Sequence, residues 1–332
     1  MNTVAGNVWL AVVAIGRNEG DRLKVCLASA LGSGLAQTVV YVDSGSTDGS
    51  AEFARGLGCQ VVDLDMSIPF TAARARNEGL AQARKSLPCL THVQFVDGDC
   101  ELVAGWLQAA VVFLGQHPDV AAVCGRRRER NPQHSIYNQL CDIEWNTPVG
   151  DAKSCGGDVL LRADALLAVG GYQASLIAGE EPELCVRLRA AGWRIWRLDH
   201  EMTLHDATML RFGQWWSRSK RAGYAFAEGA ALHGAPPERH WLRESRSAWI
   251  WGIGIPVFVS VAAACVTPWA VALLLVYPLQ VLRIFLRVRN SVPIAGWYAT
   301  FLVLGKIPEA LGQFKYWLSR ARGRRSELIE YK

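Results

Sequence analysis

A short apolar segment at residues 93–96 ends abruptly in Asp97 and Asp99, with one glycine between them. A parallel strand that is buried on both faces cannot carry charge in its middle, so carboxylates appear where it ends. In open α/β sheets that end of the strands is where ligands bind. Two carboxylates one residue apart can both turn toward Mg²⁺ or Mn²⁺, which prefer oxygen ligands. The alternative is a polar turn without a ligand, because Asp-Gly is common turn chemistry.

The first 200 residues alternate between strand-like and helix-like segments, which predicts an α/β fold with a doubly wound, mostly parallel sheet. The predicted strands are 8–15, 38–43, 60–64, 93–97, 120–124 and 193–198, and the predicted helices are 21–31, 47–57, 71–86, 102–115 and 183–191. The strand at 38–43 also ends in an acidic residue, Asp43. No Walker-type lysine loop and no G-x-G-x-x-G motif is found. Acidic strand ends indicate a site for a metal and for sugar or base hydroxyls.

The last third of the chain differs in composition. Residues 247–282 contain no charged side chain, a run that is long enough to cross a membrane. Three prolines interrupt the run and basic residues flank both of its ends, which favours a hairpin that enters and returns over a single crossing. A basic tail follows, ending with Arg324 and Arg325, and it suits anionic headgroups. The alternative is a buried helical subdomain with a solvated tail.

The net charge and the cysteine content exclude only a few classes of protein. The formal net charge is +5, from 35 Lys and Arg against 30 Asp and Glu, and nothing in its distribution points to nucleic acid. The nine cysteines form no C-x-x-C pair, so their spacing indicates neither a zinc site nor a disulfide framework. Free, buried thiols in a reducing compartment are the prediction.

Several ordered motifs resemble those of the inverting glycosyltransferases of family 2. They comprise I-G-R-N-E at residues 15–19, V-D-S-G-S-T-D-G at 42–49, A-R-N-E-G at 75–79, D-G-D at 97–99, and the glycine-containing segments at 156–162 and 170–172. Each motif is short, but their order matches the family over about residues 8–225. The resemblance implies a GT-A fold and a nucleotide-sugar donor, with UDP-sugars favoured.

The resemblance also implies roles for individual residues on the donor side. Donor-binding positions would be Asn18, Glu19, Asp43, Arg76, Asn77 and Asp97. Asp97 and Asp99 would hold Mg²⁺ or Mn²⁺ against the donor diphosphate. For Asp43 the alternative is an Asx turn, and for the nearby Asp48 we favour a structural role at a helix start.

An inverting transfer needs a base that takes the proton of the acceptor hydroxyl. Family members place it in a Glu-Asp pair before a short helix, and this chain has Glu180 and Glu181 there. We predict that Glu181 is the base, with Glu180 as the second candidate. Alternatively, both glutamates only complement the positive end of the helix dipole.

Five further positions complete the predicted site. His205 is a candidate metal ligand or a structural histidine, and the glycines Gly156 and Gly157 would line the acceptor side. Arg218 and Arg221 share one face of a Trp- and Arg-rich helix, where they would meet a diphosphate or remain solvated.

The predicted organisation is a catalytic domain at residues 1–230 and an apolar, membrane-associated helical region at 231–332. Donor binding is assigned to 8–125, and the acceptor and base side to 150–230. The predicted function is transfer of a sugar to a lipid-linked glycan at the cytoplasmic face of the plasma membrane, in cell-surface polysaccharide or lipopolysaccharide synthesis. The alternative is a non-catalytic membrane protein that binds a nucleotide-sugar or recruits other enzymes of the same pathway.

Overall fold

The computed structural model describes residues 8–323, so Arg324 and Arg325 of the predicted basic tail lie outside the described residues. The strands are β1 (Leu10–Gly16), β2 (Thr38–Asp43), β3 (Gln60–Asp63), β4 (His92–Asp97), β5 (Cys100–Leu102), β6 (Val120–Glu129), β7 (Gly150–Ala152), β8 (Val159–Arg162) and β9 (Arg194–His205). The helices are α1 (Asp21–Gly32), α2 (Ser50–Gly56), α3 (Ala72–Ser86), α4 (Trp106–Gln116), α5 (Ile136–Glu144), α6 (Ala163–Ala168), α7 (Glu180–Ala190), α8 (Phe212–His233), α9 (Leu242–Trp249), α10 (Ile255–Cys265), α11 (Val276–Val288), α12 (Ala295–Leu304) and α13 (Lys306–Ala321).

The nine strands form one mixed sheet in the order β3-β2-β1-β4-β8-β6-β9-β5, with β7 also paired to β9. Strands β1 to β4 pair in parallel, and β8 runs antiparallel to both β4 and β6. The central strand β1 is apolar along its length and almost entirely buried, as expected for a strand covered on both faces. The predicted α/β fold with a mostly parallel sheet is therefore confirmed.

The register of the parallel strands brings two acidic residues to one edge of the sheet. Asp43 at the end of β2 pairs with Gly16, and Asp97 at the end of β4 pairs with Ile15. Both carboxylates thus flank the carboxyl end of β1, where an open sheet of this kind binds ligands.

Three predicted helix starts are wrong, each for a local reason. Helix α7 begins at Glu180 and not at residue 183, because Gly179 takes a left-handed conformation with φ 78° and caps the helix there, which places Pro182 within its first turn. Helix α2 begins at Ser50 and not at residue 47, because the Asp48 carboxylate accepts a hydrogen bond from Ser50 N and Gly49 takes a left-handed conformation with φ 83°. The helix predicted at 102–115 begins at Trp106, because residues 100–102 pair with β9 as the short strand β5.

The chain divides into two compact units. The first comprises Met1–Asn131 and Glu144–Ala207, and the second comprises Pro132–Ile143 and Thr208–Lys332. The whole sheet belongs to the first unit. The predicted division of function at residue 230 stays a prediction.

The second unit contains two helical segments, Leu242–Cys265 and Pro268–Val288, that are long and apolar enough to cross a membrane. Most of their side chains are exposed, and Val266 and Trp269 at the connection are 82% and 85% exposed. Within the same unit, α8 and α13 pack so closely that a Cβ at Gly223 or Gly312 would overlap the backbone of the facing helix.

Candidate active site

Arg76 on α3 joins the strand-end carboxylate to both candidate bases. Its side chain is only 2% exposed, and its Nη2 lies 2.8 Å from Asp97 Oδ1. Its Nη1 lies 3.0 Å from Glu180 Oε1 and 2.9 Å from Glu181 Oε1. One buried guanidinium therefore connects residues that the sequence analysis assigned to the donor side and to the acceptor side.

The glycine segment between β7 and β8 passes directly over this contact. A Cβ at Gly157 would lie 2.5 Å from Arg76 Nη2 and 2.8 Å from Asp97 Oδ2, whereas a Cβ at Gly156 meets nothing within 4 Å. Only a residue without a side chain permits this approach at position 157. Gly157 thus lies at the centre of the site, and Gly156 is exposed at its margin.

A second arginine, which the sequence analysis missed, holds the other oxygen of Asp97. Arg127 Nη2 lies 3.0 Å from Asp97 Oδ2 and 2.8 Å from Asp158 Oδ2. Asp158 is fully buried, and its Oδ1 accepts a hydrogen bond from Asp97 N. Asp158 directly follows the Gly156-Gly157 pair and lies within the glycine-containing segment at 156–162, but no role was predicted for it, and Arg127 belongs to no motif that the sequence analysis used.

Asp99 and His205 come together at the end of the sheet. Asp99 Oδ2 lies 3.4 Å from His205 Nε2, and the two side chains are 1% and 9% exposed. Two ligand atoms that are each ~2.1 Å from a cation and at right angles to one another lie roughly 3 Å apart, so this spacing fits a shared divalent ion. A carboxylate and an imidazole are ligands that suit Mn²⁺. The oxygens of Asp97 lie in a separate group, with Cys100 and Asp158.

The environment of Glu181 favours its neutral form. Burial, followed by the adjacent Glu180, raises the pKa of Glu181 to about 7, while Arg76 acts in the opposite direction. A carboxylate whose pKa lies near neutrality is well matched to accepting a proton at physiological pH.

Asp43 forms the Asx turn that the sequence analysis held as an alternative. Its Oδ2 accepts hydrogen bonds from Gly45 N and Ser46 N, and its Oδ1 accepts one from the Tyr41 hydroxyl. The side chain is buried and orders the loop that follows β2. Its role in donor binding stays a prediction.

The loop after β1 is tied to the loop after β2. Asn18, in a left-handed conformation, accepts a hydrogen bond from Thr47 N at its Oδ1 and donates one from its own N to Ser46 Oγ. Asp48 Oδ2 accepts from Gly20 N, and its Oδ1 accepts from Ser50 N at the start of α2, which is the structural role expected for this residue. Glu19 lies 2.7 Å from Arg22 in an ion pair.

Asn77 anchors the second glycine segment. Its amide donates to Tyr172 O and accepts from Tyr172 N, at 2.7 and 2.9 Å. A Cβ at Gly171 would lie 2.8 Å from Asn77 Oδ1, so this contact also requires glycine. Arg218 and Arg221 lie on α8 in the second unit, and their contact with a diphosphate stays a prediction.

Comparison with known proteins supports the motif-based resemblance. Residues 12–152 match the family model for glycosyl transferase family 2. The chain is 31% identical over 173 residues to the succinoglycan biosynthesis protein ExoA of Rhizobium meliloti, which covers 48% of this chain and 51% of that protein. It is 29% identical over 241 residues to the pre-mycofactocin glycosyltransferase of Mycobacterium tuberculosis, which covers 68% of this chain and 48% of that protein. The chain thus spans about half the length of these relatives.

A solved structure with a similar fold extends the comparison. The mannosyltransferase PcManGT from Pyrobaculum calidifontis, in complex with GDP-Man and Mn²⁺, aligns with a TM-score of 0.65 and 18% identity. The alignment covers 94% of this chain and 88% of that one. The predicted GT-A-like fold is confirmed, and with the motif order and the family match it follows that residues 12–152 form a glycosyl transferase family 2 domain.

Proposed function

We propose that this protein transfers a sugar from a nucleotide-sugar donor to an acceptor hydroxyl, with inversion at the anomeric carbon. The observation that carries the proposal is the Arg76 guanidinium, which contacts Asp97 on one side and Glu180 and Glu181 on the other. Donor and acceptor must meet at such a junction for a single displacement. The names of the relatives support glycosyl transfer as the reaction class.

Asp99 and His205 would hold Mg²⁺ or Mn²⁺. The resemblance also assigns Asp97 to the cation, but its two oxygens contact arginines and lie in a separate group of ligand atoms. When bound, the cation supplies charge neutralisation to the departing nucleoside diphosphate. Arg76 and Arg127 hold the two oxygens of Asp97 in place, so its carboxylate has a fixed position at the edge of the sheet. The Mn²⁺ in PcManGT supports the choice of a divalent ion.

Glu181 would act as the base. As the acceptor oxygen attacks the anomeric carbon, the bond to the diphosphate breaks and the acceptor proton passes to the Glu181 carboxylate. Its pKa near 7 supports this role, because a substantial fraction is ionised at neutral pH and the proton transfer remains favourable. Glu180 lies beside it on the same arginine and is the second candidate.

The donor nucleotide would lie along the loops after β1 and β2, near Asn18, Glu19 and Asp43. Asn77 would support the site through the Tyr172 backbone. A UDP-sugar is favoured by the family resemblance. Gly156 would line the acceptor, and Arg218 and Arg221 would contact a diphosphate.

The second unit would attach the enzyme to the cytoplasmic face of the plasma membrane. Two apolar helices with mostly exposed side chains support this location, since water would be in contact with a large apolar surface otherwise. The basic residues that flank them favour a hairpin with both ends in the cytoplasm. A lipid-linked glycan acceptor, in cell-surface polysaccharide synthesis, is consistent with this location and with the name of ExoA.

The experiment is a transfer assay with a panel of UDP- and GDP-sugars, Mn²⁺ and lipid extracts, read as nucleoside diphosphate release and as labelled glycolipid. Glu181→Gln is expected to slow release about 10²–10⁴-fold while donor binding persists. A wild-type protein that binds a nucleotide-sugar but releases no diphosphate with any donor and acceptor would support the non-catalytic alternative. Full turnover by Glu181→Gln would remove that residue from the base role.

A further inference from the structure

Cys100 follows Asp99 directly and lies next to His205 across the sheet. The antiparallel register of β5 and β9 pairs Cys100 with His205. Paired residues in such a ladder project from the same face, with Cβ atoms about 4.5–5.5 Å apart. The Asp99 carboxylate reaches both neighbours, with Oδ2 at 3.4 Å from His205 Nε2 and Oδ1 at 3.7 Å from Cys100 Sγ. All three ligand atoms lie within 4.8 Å of one another.

These distances are similar in size to the ligand–ligand distances of a tetrahedral metal site. With metal–sulfur bonds of ~2.3 Å and metal–nitrogen and metal–oxygen bonds of ~2.1 Å, tetrahedral angles give O···N distances of roughly 3.4 Å and S···O distances of roughly 3.6 Å. The two measured distances start from different oxygens of Asp99, so it is the carboxylate as a whole that faces both neighbours. The three side chains are buried, so water does not compete freely for their ligand atoms.

We propose that Cys100 is a third protein ligand beside Asp99 and His205, and that its sulfur makes the site prefer Zn²⁺ over Mg²⁺ and Mn²⁺. The inference rests on the proposed function, because it concerns the cation of the same site. On binding, the S–H bond breaks, the proton leaves to solvent and the sulfur bonds to the metal as a thiolate. Thiolate ligands select softer cations, and Zn²⁺ exceeds Mn²⁺ in the general order of affinities.

Glu129 supports the orientation that this site needs. Its Oε2 lies 3.6 Å from His205 Nδ1 and accepts a hydrogen bond from Ala207 N, while its Oε1 accepts one from Asn131 N. At 3.6 Å this carboxylate is too far away for a hydrogen bond, and His205 Nδ1 is buried without a hydrogen-bond partner among residues 8–323. A small approach of the two groups would give the carboxylate–histidine pair that orients a ligating ring. The Nε2 atom already faces Asp99.

A second group of ligand atoms shares Cys100 but is less suited to a cation. It comprises Asp97, Cys100 and Asp158. Arg127 already forms ion pairs with both of those carboxylates, at 3.0 and 2.8 Å. A cation there would have to displace a buried guanidinium, so the Asp99 side of Cys100 is favoured.

The first test uses Co²⁺ as a spectroscopic substitute for Zn²⁺ in the full-length protein after treatment with a chelator. Wild type is expected to show a near-ultraviolet band from charge transfer between thiolate and Co²⁺. Cys100→Ser should lose that band and keep the weaker visible bands of Co²⁺ bound through Asp99 and His205. Cys59→Ser, at another buried cysteine of the first unit, should keep both.

Competition between cations measures the preference itself. Zn²⁺ should displace bound Mn²⁺, and the magnetic resonance signal of Mn²⁺ monitors its release. Cys100→Ser should weaken Zn²⁺ binding at least about tenfold, which is the lower end of the losses seen when outer-sphere partners of a metal are replaced. Its Mn²⁺ affinity should change little, because Mn²⁺ gains little from sulfur.

X-ray absorption of the Zn²⁺ protein needs no variant and covers the case in which Cys100→Ser fails to fold. A sulfur neighbour at ~2.3 Å is expected. An absorption spectrum that shows oxygen and nitrogen neighbours but no sulfur would overturn the inference. A charge-transfer band that persists in Cys100→Ser would also overturn it. Neither result would contradict a metal bound by Asp99 and His205. If the wild-type protein binds none of the cations, both this inference and the proposed metal dependence are wrong. Transfer measured in excess chelator then tests whether the proposed reaction itself takes place.

Discussion

The pH dependence of transfer should report the ionisation of Glu181. Burial and Glu180 raise the pKa of this carboxyl to about 7, and only the ionised form accepts a proton. We therefore expect kcat/KM to rise with pH through a midpoint near 7 and to level off above it. Glu181→Gln should lose about 10²–10⁴-fold in kcat and no longer show that rise. An unchanged profile in this variant would assign the titration to another group.

Arg76 should determine both the stability of the first unit and the midpoint of that profile. Arg76→Met leaves Glu180 and Glu181 buried without their shared cation and removes one of the two arginines that contact Asp97, so we expect a loss of about 3–5 kcal/mol in the free energy of unfolding. Because Arg76 lowers the pKa of Glu181, the midpoint of any residual activity should move to higher pH.

Arg84→Met, at an exposed position of the same helix, provides the control and should change the free energy of unfolding by less than about 0.5 kcal/mol. Thermal or urea unfolding gives the comparison. Equal losses in the two variants would indicate that the buried ion pairs of Arg76 contribute little.

At the scale of elements, the glycine segment between β7 and β8 offers a matched pair of substitutions. Gly157→Ala places a methyl group against Arg76 and Asp97, so we expect a destabilisation of about 1–3 kcal/mol and a lower kcat. Gly156→Ala extends into open space and should leave the free energy of unfolding within about 0.5 kcal/mol. An effect of Gly156→Ala on the acceptor KM alone would support the predicted acceptor contact.

Element positions were predictable where hydrophobic pattern alone decides them. The strands at 38–43 and 93–97 and the helix at 71–86 agree with β2, β4 and α3 to within one residue. The wrong starts of α2 and α4 depend on a side-chain hydrogen bond from Ser50 N to Asp48 and on pairing with a distant strand. A periodicity of apolar residues contains neither kind of information.

The candidate site was predictable only in part, for a related reason. Glu181, Asp97 and Asp99 belong to motifs, and the structure brings Glu181 and Asp97 onto one arginine. Arg127 and Asp158 act through contacts between residues that are 31 positions apart, without a characteristic spacing. The neighbourhood of Cys100 and His205 likewise arises from strand pairing and is invisible to cysteine spacing.

At the scale of the whole molecule, the two apolar helices of the second unit should govern partitioning into membranes. Full-length protein is expected to float with anionic vesicles in a density gradient. Replacing Val266 and Trp269 together with Asp should reduce flotation strongly, because each charge at a membrane-buried tip costs about 2.5–3.5 kcal/mol. Leu57→Asp, at an exposed apolar residue of the first unit, should float as wild type does.

The order of segments along the chain does not show which residues belong to each compact unit. Residues 132–143 lie between two parts of the first unit in sequence but belong to the second, where the Ser135 hydroxyl donates to Met209 O and Asn138 Oδ1 accepts from Met209 N. The predicted boundary at residue 230 instead lies ahead of the charge-free run at 247–282 and the basic residues before it. Membership of a compact unit depends on contacts instead.

The arginine shared by three carboxylates makes their substitutions interdependent. In a double-mutant cycle, Asp97→Asn and Glu181→Gln should show a coupling energy of about 0.5–3 kcal/mol, although the two side chains come from opposite sides of the reaction. A descendant of this chain that loses one of these carboxylates would retain the positive charge of Arg76 with fewer negative charges around it. A second substitution that restores the charge balance should then be favoured, so Arg76 and its three carboxylates are expected to change together among related proteins.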